Sequence, residues 1–199
     1  MTPLQIERIQ NKITKIKREL AADKKRHGGY CDDSRGLRYL PPSLYLKLHD
    51  YKGAMRYFQW FAKNFDDDSG YPTFLFEWSI TLYKSGRITD AESMVMLTFF
   101  SNTYLIDWFL GKEKRLSDIK EQSNWQSADL LDDFPYSHRD PTLSDFSDWL
   151  TLFMLSEKYT RYSQEFLKIQ QKLSDEPVGT RRSQLVNDLV AIMDMFIVR

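Results

Sequence analysis

Apolar residues recur at helical spacing along most of the chain. In the first segment five of them follow one another at steps of three and four: Ile6, Ile9, Ile13, Ile16 and Leu20. This rhythm predicts a helix over residues 1–27 with one narrow apolar stripe. Thr2 and Gln5 have the spacing of a capping box, and Gly28 ends the helix. The stripe suits packing onto the rest of the chain, or a coiled-coil seam for a partner or a second copy.

An irregular loop is predicted over residues 28–42, because glycines, polar residues and two prolines dominate it. Arg35 and Arg38 lie in this loop. Paired arginines suit phosphate or carboxylate, so they form a possible anion site, with packing and salt bridging as the alternative. His27 and Cys31 are four residues apart, but no second His/Cys cluster completes a metal site, and we predict none.

Two helical hairpins are predicted between residues 43 and 100. The first has leucines before a turn at His49–Asp50 and an apolar helical face that ends near Phe65. The second opens at Pro72 and turns at Gly86, where glycine suits a helix end. Its apolar residues continue at helical spacing to Phe100.

The second hairpin carries a recognisable spacing pattern. Its members are Leu75, Trp78, Ser79, Leu82, Gly86, Ile88, Ala91, Val95 and Thr98. Small residues at two of these positions allow two helices to cross closely, and the large ones fill the groove around the crossing. This pattern resembles a tetratricopeptide repeat over residues 72–104, with a degenerate copy over 38–68. The degenerate copy departs from the pattern, because Pro41–Pro42 shorten its first helix.

The resemblance implies an all-α fold, a right-handed stack of helical hairpins within a single domain spanning 1–199. Proteins with such repeats bind partners on the concave surface formed by the first helix of each hairpin. The matching positions are Leu46, Lys47, Thr73, Phe76, Glu77, Ile80, Tyr83 and Lys84. In the alternative interpretation, the N-terminal helix or the C-terminal helices cover this groove.

After the hairpins we expect a helix and an acidic loop over residues 101–139. A long helix then begins at Pro141 and keeps its apolar spacing to about residue 173. Thr180 caps a final helix. These two helices are predicted to form an antiparallel pair over 140–199 that closes the end of the hairpin stack.

The charges of the chain balance, with 28 basic and 28 acidic residues, so no overall field favours nucleic acid or anionic lipid. The local distribution is uneven: residues 1–27 are basic and residues 117–148 are acidic. The two segments face each other, pair between protomers, or are solvated separately. No long apolar run predicts a membrane span, and a single cysteine suits a reducing compartment, so we expect a cytoplasmic protein.

No catalytic motif, phosphate-binding loop or cofactor signature is present in the sequence. We therefore predict a non-catalytic protein- or peptide-binding module that acts as an adaptor or assembly factor. One alternative is a structural homo-oligomer, such as a homodimer, or a complex subunit assembled through the isoleucine stripe. Another is a small enzyme or anion-binding regulator that uses the 28–42 loop.

Overall fold

The computed structural model describes residues 1–31, 33–112 and 124–197, and all regular structure in these ranges is helical. Short 3-10 turns connect several of the helices. The α-helices are α1 (Pro3–Arg26), α2 (Pro41–Lys47), α3 (Tyr51–Asn64), α4 (Pro72–Lys84), α5 (Ile88–Ser101), α6 (Leu105–Phe109), α7 (Ser144–Met154), α8 (Glu157–Asp175) and α9 (Thr180–Asp194). None of the described helices has the length and apolar character needed to cross a lipid bilayer.

Helix α1 begins with the predicted capping box. The Gln5 backbone N–H donates to Thr2 Oγ1 at 3.3 Å, and the Thr2 N–H donates to Gln5 Oε1 at 2.8 Å. The apolar stripe is buried only from Ile13 onward, where it packs on α2 and the turn at Leu37–Tyr39. Ile6 is 36% exposed, so the stripe is less covered along the first half of α1 than along the second half.

The first hairpin consists of α2 and α3, and α2 starts earlier than predicted. Pro41 and Pro42 occupy its first two positions, where a helix needs no backbone donor, so the irregular segment ends before them. Gly53 allows close contact within the hairpin, because a Cβ there would lie 2.6 Å from Tyr45 Cε1. The Asp50 side chain caps α3 by accepting from the Gly53 N–H at 2.8 Å.

Helices α4 and α5 form the second hairpin, and α2 and α3 both pack on α4. Ser79 and Ala91 are fully buried in these two helices. Gly86, in the turn between them, has φ of +75°, which favours glycine over other residues. The chain therefore forms the predicted all-helical architecture with consecutive hairpins.

The C-terminal region differs from the prediction of one long helix followed by another. The first of these is divided into α7 and α8, because the Ser156 side chain caps a new helix by accepting from the Tyr159 N–H at 3.2 Å. α8 and α9 form a hairpin, and Arg182 bonds the carbonyl oxygens of Leu173 and Glu176 at its turn. In the 101–139 segment α6 has only five residues, and 113–123 lie outside the described ranges.

Most buried apolar residues belong to two clusters. The first joins α1, α2 and α3 to the start of α4 and is rich in aromatic rings. The second and larger cluster joins α4, α5 and α6 to the three C-terminal helices. Helix α4 contributes to both clusters, with Phe74 in the first and Phe76 and Ile80 in the second. We call the side of α4 that carries Phe76, Glu77 and Ile80 its inner face.

Candidate functional site

The inner face of α4, predicted to line an open groove, is covered by residues from later in the chain. Phe76 and Ile80 are fully buried, and Glu77 is 2% exposed. Four aromatic rings surround Phe76 at centroid distances of 4.9 to 6.0 Å, those of Phe109, Phe134, Tyr136 and Phe146. These positions are therefore core in the structure, as in the alternative interpretation in which other parts of the chain cover the groove.

The C-terminal end of α4 is covered as well. The Tyr83 hydroxyl donates to the Asp145 carbonyl oxygen at 3.0 Å, and its ring stacks on Trp149 at 4.8 Å. Lys84 Nζ donates to the Thr142 carbonyl oxygen at 2.8 Å and pairs with the Asp145 carboxylate. The start of α7 therefore takes the place that a bound peptide was expected to fill.

Three predicted groove residues remain. Leu46 is buried in the same large cluster as Phe76, and Thr73 is half-buried. Lys47 is exposed, and its charge lies close enough to Glu77 to affect that carboxyl group. Apart from the exposed Lys47, the predicted groove residues are therefore buried or half-buried by other parts of the same chain.

Asn102 holds in place the start of the segment 125–140, whose residues Phe134 and Tyr136 cover α4. This fully buried residue ends α5, and its Nδ2 donates to the carbonyl oxygens of Trp125 and Ser127 at 2.7 and 3.0 Å. Its Oδ1 accepts from the Tyr104 N–H at 3.0 Å. One amide side chain therefore satisfies three backbone groups and holds the 125–127 turn beside α5.

Glu77 is the most unusual group on the covered face. The Tyr136 hydroxyl donates to Oε1 at 2.7 Å, while the buried Oε2 has no hydrogen-bond partner among the described residues. Burial raises the pKa of Glu77 to about 8, against the opposing effects of the Tyr136 hydrogen bond and the Lys47 charge. The carboxyl group is therefore mostly protonated at neutral pH.

Arg38, predicted to belong to an anion site, is bonded within the chain. Its Nε donates to Asp68 Oδ2 at 2.6 Å, and its Nη1 donates to the Asp33 carbonyl oxygen at 2.7 Å. Nη2 donates to the Tyr39 hydroxyl at 3.1 Å. Arg35 is exposed and reaches Glu19 at 3.3 Å. The two arginines therefore pair with carboxylates of the chain itself, as in the alternative of salt bridging, and a role in binding an anion stays a prediction.

Sequence reasoning missed the partners of Arg38. Tyr39 donates to the Asp68 carboxylate at 2.6 Å, and burial together with this carboxylate raises the pKa of Tyr39 to about 12. Burial acts to raise the pKa of Asp68, but hydrogen bonds from Tyr39, Gly70 and Arg38 outweigh it and lower the pKa. The cluster joins the 33–39 segment to the loop after α3.

Cys31 is a buried free thiol, and burial raises its pKa, which disfavours the nucleophilic thiolate. No group of three or more His, Cys, Asp and Glu side chains in the described ranges is arranged to hold a metal ion.

An open apolar groove lies beside the first half of α1. It has a volume of about 340 Å³. Its apolar lining comes from Met1, which precedes α1, from Ile6 and Ile13 on α1, and from Tyr45 and Leu48 on the first hairpin. Its polar lining consists of Gln10, Thr14 and Asp50. The groove continues the stripe that packs on α2.

Comparison of the chain with protein-family models, with curated proteins and with solved structures gave no match. The site must therefore be interpreted from its own geometry.

Proposed function

We propose that the chain is a non-catalytic protein-binding module that acts as an adaptor or assembly factor. Its hairpins are proposed to form a right-handed, tetratricopeptide-like stack. The small residues Ser79 and Ala91, both fully buried in the α4–α5 hairpin, and the left-handed Gly86 between the helices support this arrangement. The packing of the first hairpin on α4 also supports it.

The proposed binding surface is the first half of α1 rather than the inner face of α4. The observation that carries this proposal is the incomplete coverage of the isoleucine stripe. At 1.5 Å per residue, α1 is about 36 Å long and α2 about 10 Å long. α2 and the Leu37–Tyr39 turn cover the stripe from Ile13 to Leu20, whereas Ile6 and the half-buried Ile9 continue it beside the open groove.

An amphipathic helix of a partner protein fits this surface. The second half of the stripe already packs on a helix, and the first half repeats the same three- and four-residue spacing. A partner helix with apolar residues at that spacing would therefore extend an interface that exists within the chain. The polar groups of the groove, Gln10, Thr14 and the Asp50 carboxylate, favour a partner with hydrogen-bond donors there.

The chemistry of the interior supports a role in binding. The Glu77 carboxyl is sealed from solvent, and the Cys31 thiol is buried with a raised pKa. A single free thiol also suits a reducing compartment such as the cytoplasm.

The test places a photo-crosslinking residue at Ile6 in cells, with the same residue at the exposed Gln164 of α8 as a control. We expect a defined partner captured at position 6 only. Purified, that partner or its helical segment should bind the wild-type chain, and Ile6→Glu should weaken binding by roughly tenfold or more. Because Ile6 is exposed, this variant should fold, and circular dichroism checks that it does. Equal capture at both sites, or binding unchanged by Ile6→Glu, would contradict the proposal.

A further inference from the structure

The side of α1 opposite its buried stripe carries a row of cations. Leu4, Arg8, Lys12, Lys15 and Arg18 follow one another at steps of four, four, three and three, and all are exposed. At 1.5 Å per residue this row is about 21 Å long. None of its four cations forms an ion pair with another residue in the described part of the chain.

A surface of opposite charge lies on the segment that covers α4. Asp129, Asp133 and Asp140 are exposed there. Leu130 and Trp125 beside them are also exposed, at 42% and 48%. Both surfaces therefore combine exposed apolar side chains with a predominance of one charge. Leu4, 56% exposed, lies in the cationic row, and the acidic segment carries its aspartates against the single exposed Arg139.

The fold keeps the two surfaces apart. α1 packs on α2 and the Leu37–Tyr39 turn, whereas the Ala128–Leu131 turn packs on α6. Within the described residues no ion pair joins α1 to the acidic segment. The chain has equal numbers of basic and acidic residues. The two charged surfaces therefore arise from where these residues lie in the fold and not from a net charge of the chain.

We propose that the cationic face of α1, defined by Leu4, Arg8, Lys12, Lys15 and Arg18, binds the acidic segment 125–140 of a second copy of the chain. Opposite charge sets the orientation, and the exposed apolar residues of both surfaces are covered on contact. A nucleic-acid backbone offers phosphates but no apolar groups for Leu4. The second copy presents carboxylates for the cations and the exposed Trp125 and Leu130 for Leu4.

Such a contact joins two different surfaces. If the two contacts form reciprocally between the same two copies, the product is a two-fold dimer; if each copy uses its two surfaces on different neighbours, the product is a ring or an open chain. The contact also uses the face of α1 opposite the groove of the proposed function. Loss of one interaction therefore leaves the other intact, and Ile6→Glu should leave self-association unchanged.

The first measurement is the mass in solution against protein concentration, by sedimentation equilibrium. At about 0.01 M salt the Debye length is about 30 Å, and at about 1 M it is about 3 Å. We expect the mean mass to increase with concentration at low salt and to return to the monomer at high salt. A monomer at all concentrations in low salt would overturn the proposal.

The second measurement exchanges the charges. Lys12→Glu with Lys15→Glu reverses one surface, and Asp129→Lys with Asp133→Lys reverses the other. Each double variant alone should associate roughly tenfold more weakly than wild type, while an equal mixture of the two should associate again. The mixture restores association because the reversed surfaces are complementary to each other and the native ones remain so.

A matched control changes the same amount of charge elsewhere: Arg161→Glu with Lys168→Glu on the exposed side of α8 should associate as wild type does. If this control weakens association equally, net charge and not the two surfaces drives it, and the proposal is wrong. If the reversed variants do not recover on mixing, while wild type binds an acidic helical peptide of unrelated sequence, the occupant is another acidic protein and not a second copy.

Discussion

Two sites in this molecule withdraw ionisable side chains from solvent, and they show opposite solutions to the same physical problem. The Arg38 site brings together a guanidinium, two carboxylates and a phenol, and each charge has several partners. The Glu77 site holds one carboxyl group with a single hydrogen bond from Tyr136. Taking an ionised group out of water is costly unless it is paired. A paired group therefore stays ionised, and an isolated one keeps its proton.

The two sites consequently depend on pH in opposite directions. The lowered pKa of Asp68 contributes stability above its unfolded pKa, and this stability is lost as the pH falls through its folded pKa. The raised pKa of Glu77 means that the folded protein holds a proton which the unfolded chain releases above pH 4.5. Stability therefore declines between pH 4.5 and about 8 because of Glu77.

The largest effect is expected from Arg38→Ala. This change leaves the Asp33 and Asp68 carboxylates without their cation, and we expect a loss of about 3 kcal/mol in the free energy of unfolding. Urea denaturation measures it. Arg35→Ala is the matched control, because Arg35 is exposed and its loss should change stability by less than about 0.5 kcal/mol. Equal effects of the two changes would show that the Arg38 network contributes little.

Glu77→Gln tests the site in which a carboxyl group is buried without an ion-pair partner. The amide preserves shape and still accepts from Tyr136, but it has no proton to lose. Between pH 6 and pH 7 the wild-type chain should lose about 1.4 kcal/mol of stability from this group, and the variant should not. Denaturation curves at both pH values measure the difference.

Tyr136→Phe provides the control for Glu77→Gln, because it removes the hydrogen bond while keeping the carboxyl. In this variant the pH dependence should remain and move to higher pH, since the Tyr136 hydrogen bond lowers the pKa of Glu77. A wild-type stability that does not change between pH 6 and pH 7 would contradict our description of Glu77.

The smallest effect is expected from Lys84→Met. Lys84 is largely buried, but its partner Asp145 is 56% exposed and partly solvated. We expect a loss below about 1 kcal/mol, and a smaller loss at high salt. Unfolding at two salt concentrations measures it. A loss as large as that of Arg38→Ala would show that exposure does not separate the two kinds of pair.

The helix ends could be predicted because their signals are local. Thr2 and Gln5 specify the start of α1, Pro72 the start of α4 and Gly86 the following turn. These residues act through their own backbone conformation or through bonds to neighbours three or four positions away. Such effects need no knowledge of the rest of the fold.

The break between α7 and α8 was missed although its signal was present. The apolar spacing continues across Leu155 and Ser156, which favoured one long helix. Leu155 is nevertheless 78% exposed, and Ser156 caps the second helix. A serine inside a periodic pattern is as compatible with a cap as with a helix interior, and only packing decides between them.

The state of the groove could not be predicted, because the residues that fill it come from distant parts of the chain. Glu77 meets Tyr136, which is 59 positions away, and Arg38 meets Asp68, which is 30 positions away. Helical periodicity identifies the face that α4 presents. It does not identify whether a partner or a later segment of the same chain covers that face.

The capping box of α1 has a consequence for the kinetics and entropy of association. An unsupported helix end normally frays, and its backbone must be ordered again whenever a partner binds. Thr2 and Gln5 bond each other's backbone N–H groups at the end of α1 that carries the proposed binding surface. A docking helix held in this way loses little conformational freedom on binding, so encounters are productive more often. Thr2→Ala removes the cap but leaves the apolar residues of α1 unchanged. It should therefore lower the association rate constant of the partner.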